Sequence, residues 1–188
     1  MKLSFQKVTT KFKTKIKERR QIQSHAAEIL SSAKRAIFSV HRGDIKKAKL
    51  ELGAATKAFK AGEKICKREK AAEFEGMWRA GLEEYCEAIF FYEYMSTGQI
   101  WNADLPTDEP DIVIGGLADF TGELVRQSVI KATEGDKKTV DHMYSATRNV
   151  VEALLNMDLT GNLRNKFDQA KRNLRRLEEL RYDLSRRL

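Results

Sequence analysis

The sequence predicts an all-α fold on three observations: apolar residues recur at three- and four-residue spacing along most of its 188 positions, only two prolines interrupt them, and no convincing strand pattern occurs. Hydrophobic residues make up 41% of the chain and charged ones 33%, a balance that suits long amphipathic helices and argues against disorder. The length is enough for one domain with its own core, so residues 1–188 are read as a single unit.

Each helix has its own signal. From Phe5, the positions Val8, Phe12, Ile16, Ile22, Ala26, Ile29, Ala33, Ile37 and Val40 define one long helix that ends at the Gly43 break. Asp44 is placed to cap a second helix marked by Ile45, Ala48, Leu52, Ala55 and Phe59, with Gly62 leaving the position of its end open. A third runs from about Ala71 to Met95 through Phe74, Trp78, Leu82, Tyr85, Ile89 and Tyr92, and Ser96, Thr97 and Gly98 stop it. Residues 98 to 110 contain both prolines, Pro106 and Pro110, and read as a crossing loop. Val113, Leu117, Phe120 and Leu124 mark a fourth helix closed by Gly135. Val140, Tyr144, Thr147, Val151 and Leu154 mark a fifth, closed near Asp158 to Gly161. The sixth begins near Leu163 and carries Phe167, Ala170, Leu174, Leu177 and Leu184 among many arginines.

Lys and Arg total 35 against 27 acids, a net charge of +8, which favours a polyanionic partner without selecting one. Cys66 and Cys86 are the only cysteines and form no C-x-x-C pair, so neither a zinc knuckle nor a disulfide framework is expected. No apolar run reaches the roughly 20 residues that span a bilayer, and the N-terminus lacks the apolar stretch of a signal peptide. These features predict a cytoplasmic protein with no membrane segment.

Two acid pairs interrupt apolar or small-residue surroundings: Glu84 and Glu87 in GLEEYCEAIFFYEY, and Asp119 and Glu123 in GGLADFTGELVRQS. Their spacing directs both carboxylates of a pair to one helix face. Ala80 and Ala88 lie one turn either side of Glu84, and Phe91 lies one turn beyond Glu87, so this stripe differs from an ordinary solvated face. Clustered carboxylates repel one another unless a hard divalent cation neutralises them. Mg2+ is the expected ion and Mn2+ the alternative. Such a site polarises a phosphate oxygen and activates water, the chemistry of phosphodiester hydrolysis. Gly115 and Gly116, one turn before Asp119, leave room for a neighbouring helix or a substrate backbone. The competing interpretation is surface charge, with Arg79 and Arg126 as ion-pair partners of the acids; in a nuclease the same two arginines contact phosphate.

His25, His41 and His142 are scattered, and none completes the Glu-x-x-His pattern of di-iron carboxylate bundles. Tyr85, Phe90, Phe91, Tyr92 and Tyr94 are read mainly as packing residues, with base stacking as the alternative.

The acid segments resemble the translin family. GLEEYCEAIFF is similar to the helix of Trax-type subunits that reads glutamate, tyrosine, apolar, glutamate, alanine, and ADFTGELVR is similar to their A-D-x-T-G-E-L-x-R segment. The ending LEELRYDLSRRL and the Trp78-Arg79 pair extend the likeness from about residue 20 to the end. The resemblance implies a seven-helix bundle, one helix more than the pattern resolves, the extra one lying at 98 to 110 or at a merged break. It also implies that Glu84, Glu87, Asp119 and Glu123 form a Mg2+-dependent endoribonuclease site, and that subunits assemble into a hollow octamer enclosing RNA, with or without a translin-like partner subunit. Keeping all four acids places the chain with the catalytic, Trax-type side, and its compactness looks like an archaeal member. One departure is EFEGMWR, where Glu73 and Glu75 stand in place of the basic, histidine-containing run of translin-type subunits. That binding role is therefore not carried over, and Arg79 and Arg126 become the expected RNA contacts. A non-catalytic RNA- or DNA-binding scaffold, or an assembly subunit, remains the alternative.

Overall fold

The computed structural model describes residues 4–69, 76–101 and 103–186. They form six helices and no strand: α1 Phe5–His41, α2 Ile45–Glu69, α3 Gly76–Thr97, α4 Pro110–Thr133, α5 Lys137–Leu155 and α6 Gly161–Arg186. The count is close to the seven of the expected bundle, and the described part of 98–110 adds no further helix. The expected start of the third helix at Ala71, with Phe74, Glu73 and Glu75, lies outside the described residues.

Local signals act where the sequence places them. The backbone N–H of Lys47 donates to the Asp44 carboxylate at 2.9 Å, capping α2. Asp136 caps α5 in the same way, accepting from the Thr139 N–H at 3.0 Å and the Thr139 hydroxyl at 2.6 Å. Pro110 occupies the first turn of α4, where a missing N–H costs nothing.

Gly62, by contrast, does not end its helix, because α2 continues to Glu69. A Cβ at Gly62 would overlap the ring of Trp78, so the residue is there to let α3 approach closely. Tertiary packing overrides the local penalty of a helical glycine.

α1 packs on α2 and α3, α3 packs on α4, and α4, α5 and α6 pack mutually. The α3 and α4 pair is therefore the seam between two three-helix groups. Ile29, Phe91, Phe120, Leu124, Met143 and Leu154 are fully buried along this core, and each such large side chain contributes roughly 1.5–3 kcal/mol relative to exposure. Tyr85, Phe90 and Phe91 belong to the core as expected, and the Tyr85 hydroxyl is satisfied by Thr56 at 2.6 Å. α1 is helical from Phe5, but only its later part is buried. Phe5 and Phe12 are 80% and 63% exposed, and the apolar core contacts begin at Ile22.

Candidate metal and phosphodiester site

The seam carries the acids. Glu84 and Glu87 come from α3, Asp119 and Glu123 from α4, and the two helices meet because α4 presents Gly116 to α3. A Cβ on Gly116 would lie 2.8 Å from the Glu83 carbonyl oxygen and from the Cys86 Cβ. The glycine thus serves close approach of a neighbouring helix, one of the two uses its position allows in the sequence.

Glu87 is the most enclosed of the four, buried together with its neighbours Cys86 and Ala88. Burial, then the charges of Glu84, Asp119 and Glu123, push its carboxyl up to about 9, against a partial counter-effect from Lys166. Glu84 is raised for the same reasons: burial first, opposed by Lys34 and reinforced by Asp119, Glu123 and Glu83. Lys34 lies 3.8 Å from Glu84. All four predicted acids are thus within electrostatic reach of one another. Of the small residues flanking Glu84, Ala88 is buried and Ala80 exposed, so only one side of that stripe is shielded.

Two residues that pattern alone does not single out, Lys166 and His41, complete the cluster. Lys166, from α6, donates to Asp119 and forms an ion pair with Glu83 at 2.9 Å. Its side chain is 17% exposed. Burial works against the ammonium, but hydrogen bonds to Asp119 and Glu83 outweigh it and raise the pKa overall. His41, the last residue of α1, contacts Glu123 through Nε2 and Gln127 through Nδ1, the latter at 2.7 Å. Its ring lies against Phe91, with centroids 4.6 Å apart.

The two arginines go to different places. Arg126 lies 3.8 Å from Glu123 at the edge of the cluster. Arg79 lies 3.6 Å from Asp111, in a cleft of about 620 Å³ that it shares with Ala80, Glu83, Asp158 and Leu163. Glu83 is the wall between the two regions, since it also holds Lys166.

The donor chemistry fits a hard divalent cation: burial and the neighbouring carboxylates raise the proton affinity of Glu84 and Glu87, and a metal relieves that repulsion as a proton does. It is not a ready-made cage. Among the described residues, no three His, Cys, Asp or Glu side chains are already arranged around one point, and Asp119 and Glu123 each commit one oxygen, to Lys166 and to His41. No helix of the described residues is long and apolar enough to cross a membrane.

No curated protein matches the chain. Among solved structures, the crystal structure of apo-NeC3PO is similar with a TM-score of 0.89 and 20% identity, covering 98% of each chain. AfC3PO in complex with duplex RNA matches with a TM-score of 0.89 at 20% identity, and AfC3PO alone with 0.89 at 21%, each covering 97% of both chains. At such identity the likeness establishes the fold. The sequence model of the translin family matches residues 17–187, which includes every acid of the cluster as well as His41 and Lys166, and the chain belongs to the translin family.

Proposed function

We propose that the chain is the catalytic, Trax-type kind of translin-family subunit, an RNA-binding endoribonuclease dependent on Mg2+ or Mn2+ and related in its compactness to archaeal members. One observation carries this: carboxylates from α3 and α4 lie within electrostatic reach of one another in a shielded place, where burial first and the neighbouring charges second push Glu87 up to about 9. Maintaining such an arrangement is costly, and a bound cation repays it. Glu84, Glu87, Asp119 and Glu123 would hold the ion, which when bound supplies an activated water and a polarised phosphate oxygen.

The chain's own side chains do the rest. Arg126, exposed beside Glu123, contacts the RNA backbone at the cluster, and Arg79 contacts it in the adjoining cleft. Lys166 keeps Asp119 and Glu83 neutralised within the seam. The fold likeness to AfC3PO, itself seen with duplex RNA, supports RNA as the polyanion. Exposed Phe5, Val8 and Phe12 on the overhanging start of α1 support assembly of copies into an octamer, alone or with a translin-like partner.

A scaffold that binds RNA without cutting, or an assembly subunit, is the second reading. It is favoured by the fact that Lys166 and His41 already occupy Asp119 and Glu123. Cleavage of a short labelled RNA by purified protein, with Mg2+ or with EDTA, separates the two. Metal-dependent cutting that disappears in Glu123→Ala supports the nuclease; binding without cutting, unchanged by the substitution, leaves the scaffold.

A further inference from the structure

We infer that His41 is a positioning residue for Glu123, fixing the orientation of that carboxylate toward the site through a hydrogen bond braced by Gln127 and Phe91. The inference rests on the metal-site reading given above and goes beyond it in assigning a function to a residue outside the four acids.

The geometry has three parts. First, a carboxylate only accepts, so the His41 Nε2 that contacts Glu123 is the donor. Second, Gln127 faces Nδ1 at 2.7 Å and is itself buried. Its amide presents either an oxygen or an N–H, so it satisfies Nδ1 in both ring states and holds the ring whichever is present. Third, the imidazole is 3% exposed and rests on Phe91, which is fully buried. Packing leaves it little freedom to turn away from the acid.

The backbone beneath His41 is equally fixed. α1 ends in a Schellman motif, in which Gly43 N–H donates to the Val40 carbonyl and Asp44 N–H to the Ser39 carbonyl, both at 2.9 Å. Gly43 supplies the required positive φ of 75°. A side chain so thoroughly held, with one nitrogen aimed at a candidate ligand and the other fixed by a buried amide, matches the outer partners that orient metal-binding carboxylates. Residue types in the sequence give no hint of it, since 82 positions separate the partners.

The test measures binding of Mn2+ alone to the full-length chain by the EPR signal of the free ion. Asn can reproduce the Nδ1 side of histidine but not Nε2, whereas Gln reaches the Nε2 position. Both lose the ring contact with Phe91, so a merely structural role treats them alike. His41→Asn is expected to weaken Mn2+ binding about 10- to 100-fold, while His41→Gln stays close to wild type. Equal affinities for the wild type and His41→Asn would overturn the positioning role alone. Nitrogen coupling in pulsed EPR of the wild type, absent in His41→Gln, would overturn it in favour of direct ligation. Should His41→Asn not fold, Gln127→Met frees the ring while retaining His41 and Glu123. A several-fold loss is expected there, and wild-type affinity would contradict the proposal. Absence of Mn2+ binding by the wild type, unlike any of these, overturns the site reading itself and this inference with it.

Discussion

Two populations of charge divide this molecule. On the surface, many ion pairs are local: Arg164 with Asp168, Lys171 with Asp168, Arg176 with Glu179 and Arg148 with Glu152 all lie three or four residues apart on one helix, while Arg181 with Asp141 and Arg35 with Glu51 tie neighbouring helices from outside. In the seam they are long-range, with Lys166 reaching Asp119 across 47 positions and His41 reaching Glu123 across 82. The first kind decorates a helix that is already formed, and each pair is worth about 0–1 kcal/mol in water. The second kind depends on several helices being in place and loses solvent on assembly, so its pairs form only together with the fold. Charge that costs stability collects where the chemistry is proposed, whereas charge that costs nothing is spread over the outside.

The contrast can be broken from the inside first. Glu87 has a folded pKa of about 9 against a reference of 4.5. Protonation therefore favours the fold: this contribution is fully present below about pH 4.5 and is lost as pH rises toward about 9. Glu87→Gln, neutral and nearly isosteric, is expected to flatten that dependence and to stabilise the protein by several kilocalories per mole near the top of the window. Urea unfolding in EDTA across the range checks it; a parallel pH profile in wild type and variant would show that Glu87 is not forced to stay protonated.

Next in size is Lys166→Met, which leaves Asp119 and Glu83 facing each other without their cation. A destabilisation of about 3 kcal/mol is expected, measured by urea unfolding, with partial recovery on adding Mg2+ if a divalent ion takes over the neutralisation. Gly116→Ala tests the seam without touching charge. Its Cβ would press on the α3 backbone 2.8 Å away, and a loss of about 2 kcal/mol is expected from the overpacking, read as a lower thermal midpoint. Smallest is Arg176→Ala, at an exposed pair on α6, where a change within about 0.5 kcal/mol is expected by the same unfolding assay. A larger loss there would erase the distinction between the two populations.

The same division explains what was legible in the sequence. Helices leave a periodic trace in every turn, so all six appear, with Asp44 capping α2 as its position suggests, while the Asp136 cap of α5 is found only in the structure. The four acids stand out because their i, i+3 and i, i+4 spacings are local and their surroundings apolar. Gly62 leaves the end of α2 open in the sequence, since a propensity rule sees a weak point where the structure has Trp78 packed against a missing side chain. Lys166 is one basic residue among many on α6, and His41 one of three scattered histidines. Nothing within a turn of either reveals a partner that only tertiary folding supplies. The apolar stripe at Phe5, Val8 and Phe12 is read correctly as helical, yet it lies on the surface, because periodicity reports a face and not what covers it.

Lys166 comes from the last helix of the chain, and the acids it neutralises come from the third and fourth. During synthesis, the carboxylates are therefore made before the cation that belongs among them. Until α6 docks, Asp119 and Glu83 lack the cation that pairs with them in the folded chain, and apolar contacts such as Phe90 against Phe120 are left to hold α3 on α4.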